Sequence, residues 1–434
     1  MNKNIIFKTA ATIISFVFGK KSFNCLKNIK DKVNRKIENK FINDYNSSIP
    51  NLLKKIKEKD TIHIVFYIID ISMWRYESMV KILVKDKRFK VTIVPFIYPN
   101  WSIDKAKKVN SEIVKYCQNN EFPVLDEYDI EKRRYSDMIY SLTPDIVVYT
   151  QPYGRGDQRL GLKKYANTSL FLYTPYGLNV DANPTFFDNT LQNISLILYL
   201  QTYPEYELQK KYARNKGKNS VVVGCLTFDD LNSDLDNPWP EKRSYNVIWA
   251  PHHTILDIDI LSNSTFLYVC DKMLDIAIDY PDINFAFRPH PVLKEKLYTL
   301  WGKEKTDSYF QKWEDLPNGF ISRGSFAPLF KYSDGMIHDC SSFLCEYLLT
   351  GKPVLYLSRE EHLSEINEFG RRCYDLHYHG STDEDVICFI EEKIINNQDS
   401  LKEDRDSFVK NKLLSPNNKP VGDNMYTSLI DKLQ

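Results

Sequence analysis

The sequence predicts an α/β protein with two parallel-sheet domains facing across a cleft. Three observations carry that prediction: strands and helices alternate from residue 61, a polar break interrupts them at 225–244, and the same alternation then restarts. Ile62–Ile69 (IHIVFYII) is a short apolar run rich in β-branched residues, as expected of a strand buried on both faces. Helical spacing follows over Trp74–Lys85, then a strand at Val91–Ile97, helices near 103–117 and 129–142, and a strand at Ile146–Thr150. Strands at Ser169–Tyr173, Leu196–Leu200 and Val221–Gly224 complete a first domain over residues 60–224.

Residues 225–244 are polar, contain Pro238 and Pro240 and show no period, which predicts a linker. The second domain, 245–434, is predicted from strands at Asn246–Ala250, Asn284–Arg288, Gly335–Ile337 and Val354–Leu357. Helices are expected near 264–279 and 292–300, and over Phe326–Tyr332 and Ser342–Leu349.

Composition narrows the classes of function. Of 434 residues, 43% are hydrophobic and 26% charged, which excludes a disordered chain. Lys+Arg is 58 against 57 Asp+Glu, so no global basic field argues for nucleic acid, and none is expected as a partner. The balance hides an asymmetry, because residues 1–59 hold 14 Lys+Arg and 4 Asp+Glu. Residues 5–18 (IIFKTAATIISFVF) are apolar but shorter than the roughly 20 residues that span a bilayer, and Lys20 and Lys21 follow. The expectation is a basic helical extension whose tip lies in a membrane interface beside anionic headgroups. The eight cysteines are scattered with no CxxC, so no zinc site and no metal are expected. Cys117 and Cys270 fall in apolar helical patterns as buried thiols, consistent with a reducing cytosol.

The densest candidate for chemistry is Lys331–Leu357, KYSDGMIHDCSSFLCEYLLTGKPVLYL. Asp339-Cys340-Ser341-Ser342 is placed where a strand ends and a helix begins. Unpaired backbone N–H groups and two hydroxyls there suit a phosphate. Glu346, four residues after Ser342, projects from the same helix face. Gly351-Lys352-Pro353 stops the helix. Taken singly these are ordinary caps and stops; the ordered set is more specific. Arg288-Pro289-His290-Pro291 stands at the carboxyl end of a strand, where open α/β sheets bind ligands. Its constrained histidine suits a phosphate contact or a proton donor. His252 and His253 follow another strand, and they are expected to line the cleft wall, since neighbours on one loop do not converge on one metal.

The block Ser333–Leu357 and the Arg-Pro-His-Pro segment resemble the CDP-glycerol glycerophosphotransferase family, which includes teichoic-acid polymerases and primases. The resemblance is good over about 245–360 and weaker over 61–224. It implies a GT-B fold of two Rossmann-like domains and peripheral attachment to the cytoplasmic face of a bacterial plasma membrane; no cofactor is expected. It implies a CDP-glycerol-like donor and a lipid-linked or glycan acceptor. By position, His290 would meet the donor's phosphates and help the leaving group, with Arg288 beside it. Ser341 and Ser342 would hold the pyrophosphate, Glu346 the ribose, and Asp339 would order the loop. The polymerases carry an N-terminal-domain histidine in a Trp-His-Gly-Thr segment; here Thr174-Pro175-Tyr176-Gly177 stands in that place. Asp181, Asp70 and Asp157 are the carboxylates that could take the acceptor proton instead, Asp181 foremost. A GT-B glycosyltransferase using a nucleotide sugar is the alternative, and a two-domain binding protein without activity is a third reading.

Overall fold

The computed structural model describes residues 3–154, 156–240, 242–255, 264–341, 343–358 and 366–434; the side chains of residues 1–28 and 418 lie outside that description. Two six-stranded sheets organise it, parallel throughout.

The first sheet contains β1 (Ile62–Ile68), β2 (Phe89–Pro95), β5 (Ile146–Tyr149), β6 (Leu170–Tyr173), β7 (Ile197–Leu200) and β8 (Ser220–Val222), while β3 (Tyr128–Asp129) and β4 (Arg134–Tyr135) form a separate hairpin. The sheet order is β2-β1-β5-β6-β7-β8. Ile64 to Ile68 are fully buried, which explains why β1 lacks polar alternation. The hairpin replaces most of the helix expected near 129–142, leaving only Asp137–Tyr140 helical. The Tyr135 hydroxyl donates to the Pro95 carbonyl (2.9 Å) and accepts from the Ile97 amide (2.8 Å), pinning this segment against the end of β2.

The second sheet contains β9 (Tyr245–Ala250), β10 (Ile283–Phe287), β11 (Gly319–Ile321), β12 (Gly335–His338), β13 (Val354–Leu357) and β14 (Tyr378–Gly380), in the order β11-β10-β9-β12-β13-β14. Alternate residues of one strand enter different cores: Ile248 and Ala250 pack on one face, Val247 and Trp249 on the other. Trp249 stacks on Phe287 with centroids 4.9 Å apart, fixing the carboxyl ends of β9 and β10 side by side. β11 and β14 were not expected from the sequence; each has three residues, none fully buried, and so lacks an apolar run.

The N-terminal helix runs from Lys3 to Lys57 as one element. Ile42, Tyr45, Leu52 and Ile56 bury against the first sheet, and the Tyr45 hydroxyl donates to the Ser169 carbonyl at 3.0 Å. The apolar tip at 5–18 is helical backbone, with side chains outside the description; among the described residues no helix is long and apolar enough to cross a membrane.

The predicted linker opens with a helix, Leu226–Asn232. Asp229 in it accepts from the amides of Val421 (2.7 Å) and Gly422 (3.3 Å) at the start of the last helix, Val421–Leu433. That last helix returns to the first half, burying Val421, Met425 and Leu429 in the first core. Gly422 permits the approach, because a Cβ there would lie 2.6 Å from the Ser78 side chain.

Candidate functional site

The order of the second sheet reverses between β9 and β12, and ligands of open parallel sheets bind outside the carboxyl ends at such a point. The loops leaving it hold 251–255 and 339–341, and the loop after β10, beside β9, holds Arg288 to Pro291. The Arg288 amide donates to the Trp249 carbonyl (2.8 Å) and the His290 amide to the Pro251 carbonyl (3.0 Å), so the two histidine loops run in register. The imidazole centroids of His252 and His290 are 5.1 Å apart, those of His253 and His290 4.2 Å, and one nitrogen from each of the three lies within 4.8 Å of the others. The sequence placed His252 and His253 on the cleft wall; the structure brings both rings to His290. They converge because His290 supplies the third ring from an adjacent strand.

His290 Nδ1 accepts the Val292 amide at 3.2 Å, which leaves the proton of the neutral ring on Nε2. Burial, followed by the charges of His253 and Lys296, lowers its pKa to about 4, so at neutral pH it is an uncharged hydrogen-bond donor.

Asp339 is buried and occupied by protein groups. Its carboxylate accepts from the His252 amide (2.5 Å), the Thr265 amide (2.6 Å) and the hydroxyls of Ser264 and Thr265 (both 3.0 Å). It therefore orders the histidine loop rather than presenting a carboxylate to a ligand. Burial raises its pKa, and these donors pull against that rise. Arg288 donates to Ser322 Oγ (3.1 Å) and the Gly324 carbonyl (2.7 Å). Burial lowers its pKa to about 10, so it remains a cation at neutral pH.

Glu346 is 5% exposed. Burial lifts its pKa to about 7, against the pull of Arg75 and Arg288 and with the push of Asp230. Arg75 sits beyond β1, at the order reversal of the first sheet, with Nη1 on the carbonyls of Ser72 (3.0 Å) and Trp74 (2.9 Å). Glu346 thus interacts electrostatically with arginines from both halves, Arg75 after β1 and Arg288 after β10. No motif announced Arg75; it becomes visible only when the halves are assembled.

The helix expected over Ser342–Leu349 is one α-turn, Phe343–Glu346, followed by a 3-10 turn, Tyr347–Thr350, that ends at Gly351 with φ +69°. A single turn supplies far less dipole than the sequence suggested. Ser341 lies half-buried in the preceding turn, and Ser342 lies outside the described residues. Much of the remaining motif is scaffold. Ser333 Oγ bonds the Phe330 carbonyl and the Tyr347 hydroxyl (both 2.9 Å), Asp334 accepts the Asn246 amide (2.8 Å), and the Lys352 ammonium caps the carbonyls of Phe330 (3.1 Å) and Lys331 (2.7 Å).

The three carboxylates considered as bases have distinct surroundings. Asp70 caps the turn Ile71–Met73, accepting the Ser72 amide at 2.8 Å. Asp157 is clamped by Arg159 (2.7 Å) and the Tyr140 hydroxyl (2.7 Å); burial opposes them, but together they hold its carboxyl below the usual range, which weakens it as a base. Asp181 accepts the Asn183 amide (2.6 Å) and bridges to Ile366, where the two halves meet. Among the described contacts none joins Asp181 to the histidine cluster.

No protein-family model matches the chain, and no curated protein does. Solved structures match in fold. The wall teichoic acid polymerase TagF, as a histidine-to-asparagine variant, matches with TM-score 0.57 and 13% identity over 94% of this chain and 97% of TagF. The UDP-GlcNAc 2-epimerase from Neisseria meningitidis, bound to UDP-GlcNAc, matches with TM-score 0.53 and 13% identity over 86% of this chain and 99% of its own. The S. aureus MnaA–UDP structure matches with TM-score 0.52 and 13% identity over 85% and 96%. At these identities the likeness shows the fold alone: the chain has a GT-B fold, in keeping with its two six-stranded parallel sheets.

Proposed function

We propose that the chain transfers a glycerophosphate, or a related polyol phosphate, from a CDP-linked donor to a hydroxyl of a lipid-linked or glycan acceptor, with release of CMP. The observation that carries this reading is the convergence of His252, His253 and His290 at the carboxyl edge of the second sheet, beside its order reversal, with Arg288 on the same loop as His290. TagF, one of the fold neighbours, was also solved after soaking with CDPG.

In the reaction the acceptor oxygen attacks the β-phosphorus, the bond to the CMP oxygen breaks, and CMP departs with the electron pair. The His290 Nε2–H hydrogen-bonds the departing phosphate, and Arg288 supplies fixed positive charge beside it. Glu346 accepts from the ribose hydroxyls, while Ser341 and Ser342 meet the pyrophosphate. Asp181, at the crossing of the two halves, takes the acceptor's hydroxyl proton in this reading. The basic N-terminal helix holds the protein on the cytoplasmic face of a membrane, near a lipid-linked acceptor.

The test is an incubation of the full chain with CDP-glycerol and, separately, with UDP-, GDP- and CMP-sugars in the presence of lipid-linked and glycan acceptors, followed by phosphorus NMR. CMP release and a new phosphodiester with CDP-glycerol support the reading. Turnover of a nucleotide sugar alone replaces it with glycosyl transfer.

A further inference from the structure

We infer that His252, His253 and His290 form a site for one divalent transition-metal cation of the zinc class, with an open position directed to the donor's phosphates. The second clause rests on the proposed donor; the first rests on the three rings alone.

Three imidazoles from two loops offer one nitrogen each within a 4.8 Å span. Metal–nitrogen bonds of about 2.0–2.1 Å in tetrahedral geometry require nitrogens roughly 3.3 Å apart. Small ring rotations close that difference, and the centroid spacings of 4.2, 4.3 and 5.1 Å leave no room for another side chain between the rings. Imidazole is a ligand suited to zinc, cobalt and nickel rather than to magnesium or calcium.

The surroundings have the features of a supporting shell. His252 Nδ1 meets Thr254 Oγ1 at 2.9 Å, which fixes that ring's orientation. The Asp339 carboxylate holds the His252 backbone, and Pro251, Pro289 and Pro291 stiffen both loops. His290 keeps its lone pair on Nδ1, where the Val292 amide now sits at 3.2 Å. A cation taken by His290 on Nδ1 competes with the Val292 amide for that lone pair, so binding requires the ring to turn away from this contact. Three neutral ligands leave the metal its full double charge, and a diphosphate oxygen is the natural fourth ligand.

The test uses the full, tag-free chain, stripped with chelator and titrated with cobalt(II) while its visible d–d bands are followed. The site predicts one equivalent bound with tetrahedral-type bands. It also predicts at least about a hundredfold weaker binding in His253→Ala and in His290→Ala, more than removal of an outer-shell partner costs, with melting temperatures unchanged. Adding CDP shifts the bands and adding cytidine does not. Absence of bands in the wild type, or bands indifferent to both substitutions, overturns the inference, and turnover of CDP-glycerol in that same protein leaves the donor reading standing. Histidine-dependent bands without CDP-glycerol turnover uphold the metal site and remove the donor reading.

Discussion

Replacing Glu346 by Gln tests both the burial of this carboxyl and its assignment to the ribose. Burial lifts its pKa from the ordinary 4.5 to about 7 in the folded protein. The folded state therefore binds this proton more tightly than the unfolded chain. The associated stability is fully present below about pH 4.5 and is lost as pH rises through about pH 7. At 1.36 kcal/mol per pH unit the loss amounts to roughly 3 kcal/mol. Glutamine keeps the shape and never ionises. Glu346→Gln is thus expected to match the wild type at about pH 4.5 and to exceed it by roughly 3 kcal/mol at about pH 8.5. The assay is urea unfolding of both proteins at the two pH values, with CDP and cytidine affinities measured on the same samples. A carboxylate that accepts from ribose hydroxyls contributes charge-assisted bonds worth about 1.5–3 kcal/mol each. Both ligands should therefore weaken together, roughly ten- to a hundredfold at the higher pH. A stability difference that does not change with pH refutes the buried carboxyl, and intact cytidine affinity refutes the ribose contact.

His290→Ala is expected to lower turnover about 10²–10³-fold, the effect of losing one hydrogen-bond donor to developing charge, while its melting temperature stays unchanged; near-normal turnover at saturating donor reassigns the loop to structure. His338 and His377 are buried, each with Nδ1 on a carbonyl and an Nε2 that has no hydrogen-bond partner among the described residues. Burial lowers the His338 pKa to about 3 and that of His377 well below its ordinary value. Their unfolded forms take protons first, so stability is intact above about pH 6.5 and falls as pH drops below it, by roughly 1.4 kcal/mol per pH unit toward pH 3 for His338 and in the same direction for His377; an unfolding midpoint flat between about pH 6 and 4 contradicts this. Gly422→Ala places a methyl 2.6 Å from Ser78 and should cost about 1–3 kcal/mol by overpacking the last helix against the first half; unchanged thermal stability shows that the helix is not seated there.

What the sequence disclosed depended on whether a signal was local. β1, with five consecutive fully buried residues, and β9, with Trp249 and Ala250 at its carboxyl end, were legible because a strand buried on both faces is a continuous apolar run. β11 and β14 were not, since three residues with none fully buried leave no such run. The helix Leu226–Asn232 hid in the linker because its buried residues, Leu226 and Thr227, are adjacent and give no helical period. For the candidate site, Arg288 and His290 stood at a strand end where position itself suggested a ligand, and Glu346 was singled out by its spacing from Ser342 on an expected helix face. The histidine cluster was written in the sequence as two separate loops, and only the pairing of β9 with β10 joins them. Ser333, Asp334 and Lys352 belong to the same dense stretch yet tie the chain together, because residue type alone does not separate a cap from a contact.

The central claim is that the histidine edge of the second sheet holds the diphosphate of a cytidine-linked donor. Calorimetric titration of the full chain with CDP, cytidine and UDP tests it most directly. The account predicts saturable binding of one CDP, with cytidine weaker by roughly ten- to a hundredfold for the lost phosphate contacts, and UDP weaker than CDP. Equal affinities for CDP and cytidine, or preference for UDP, would contradict it.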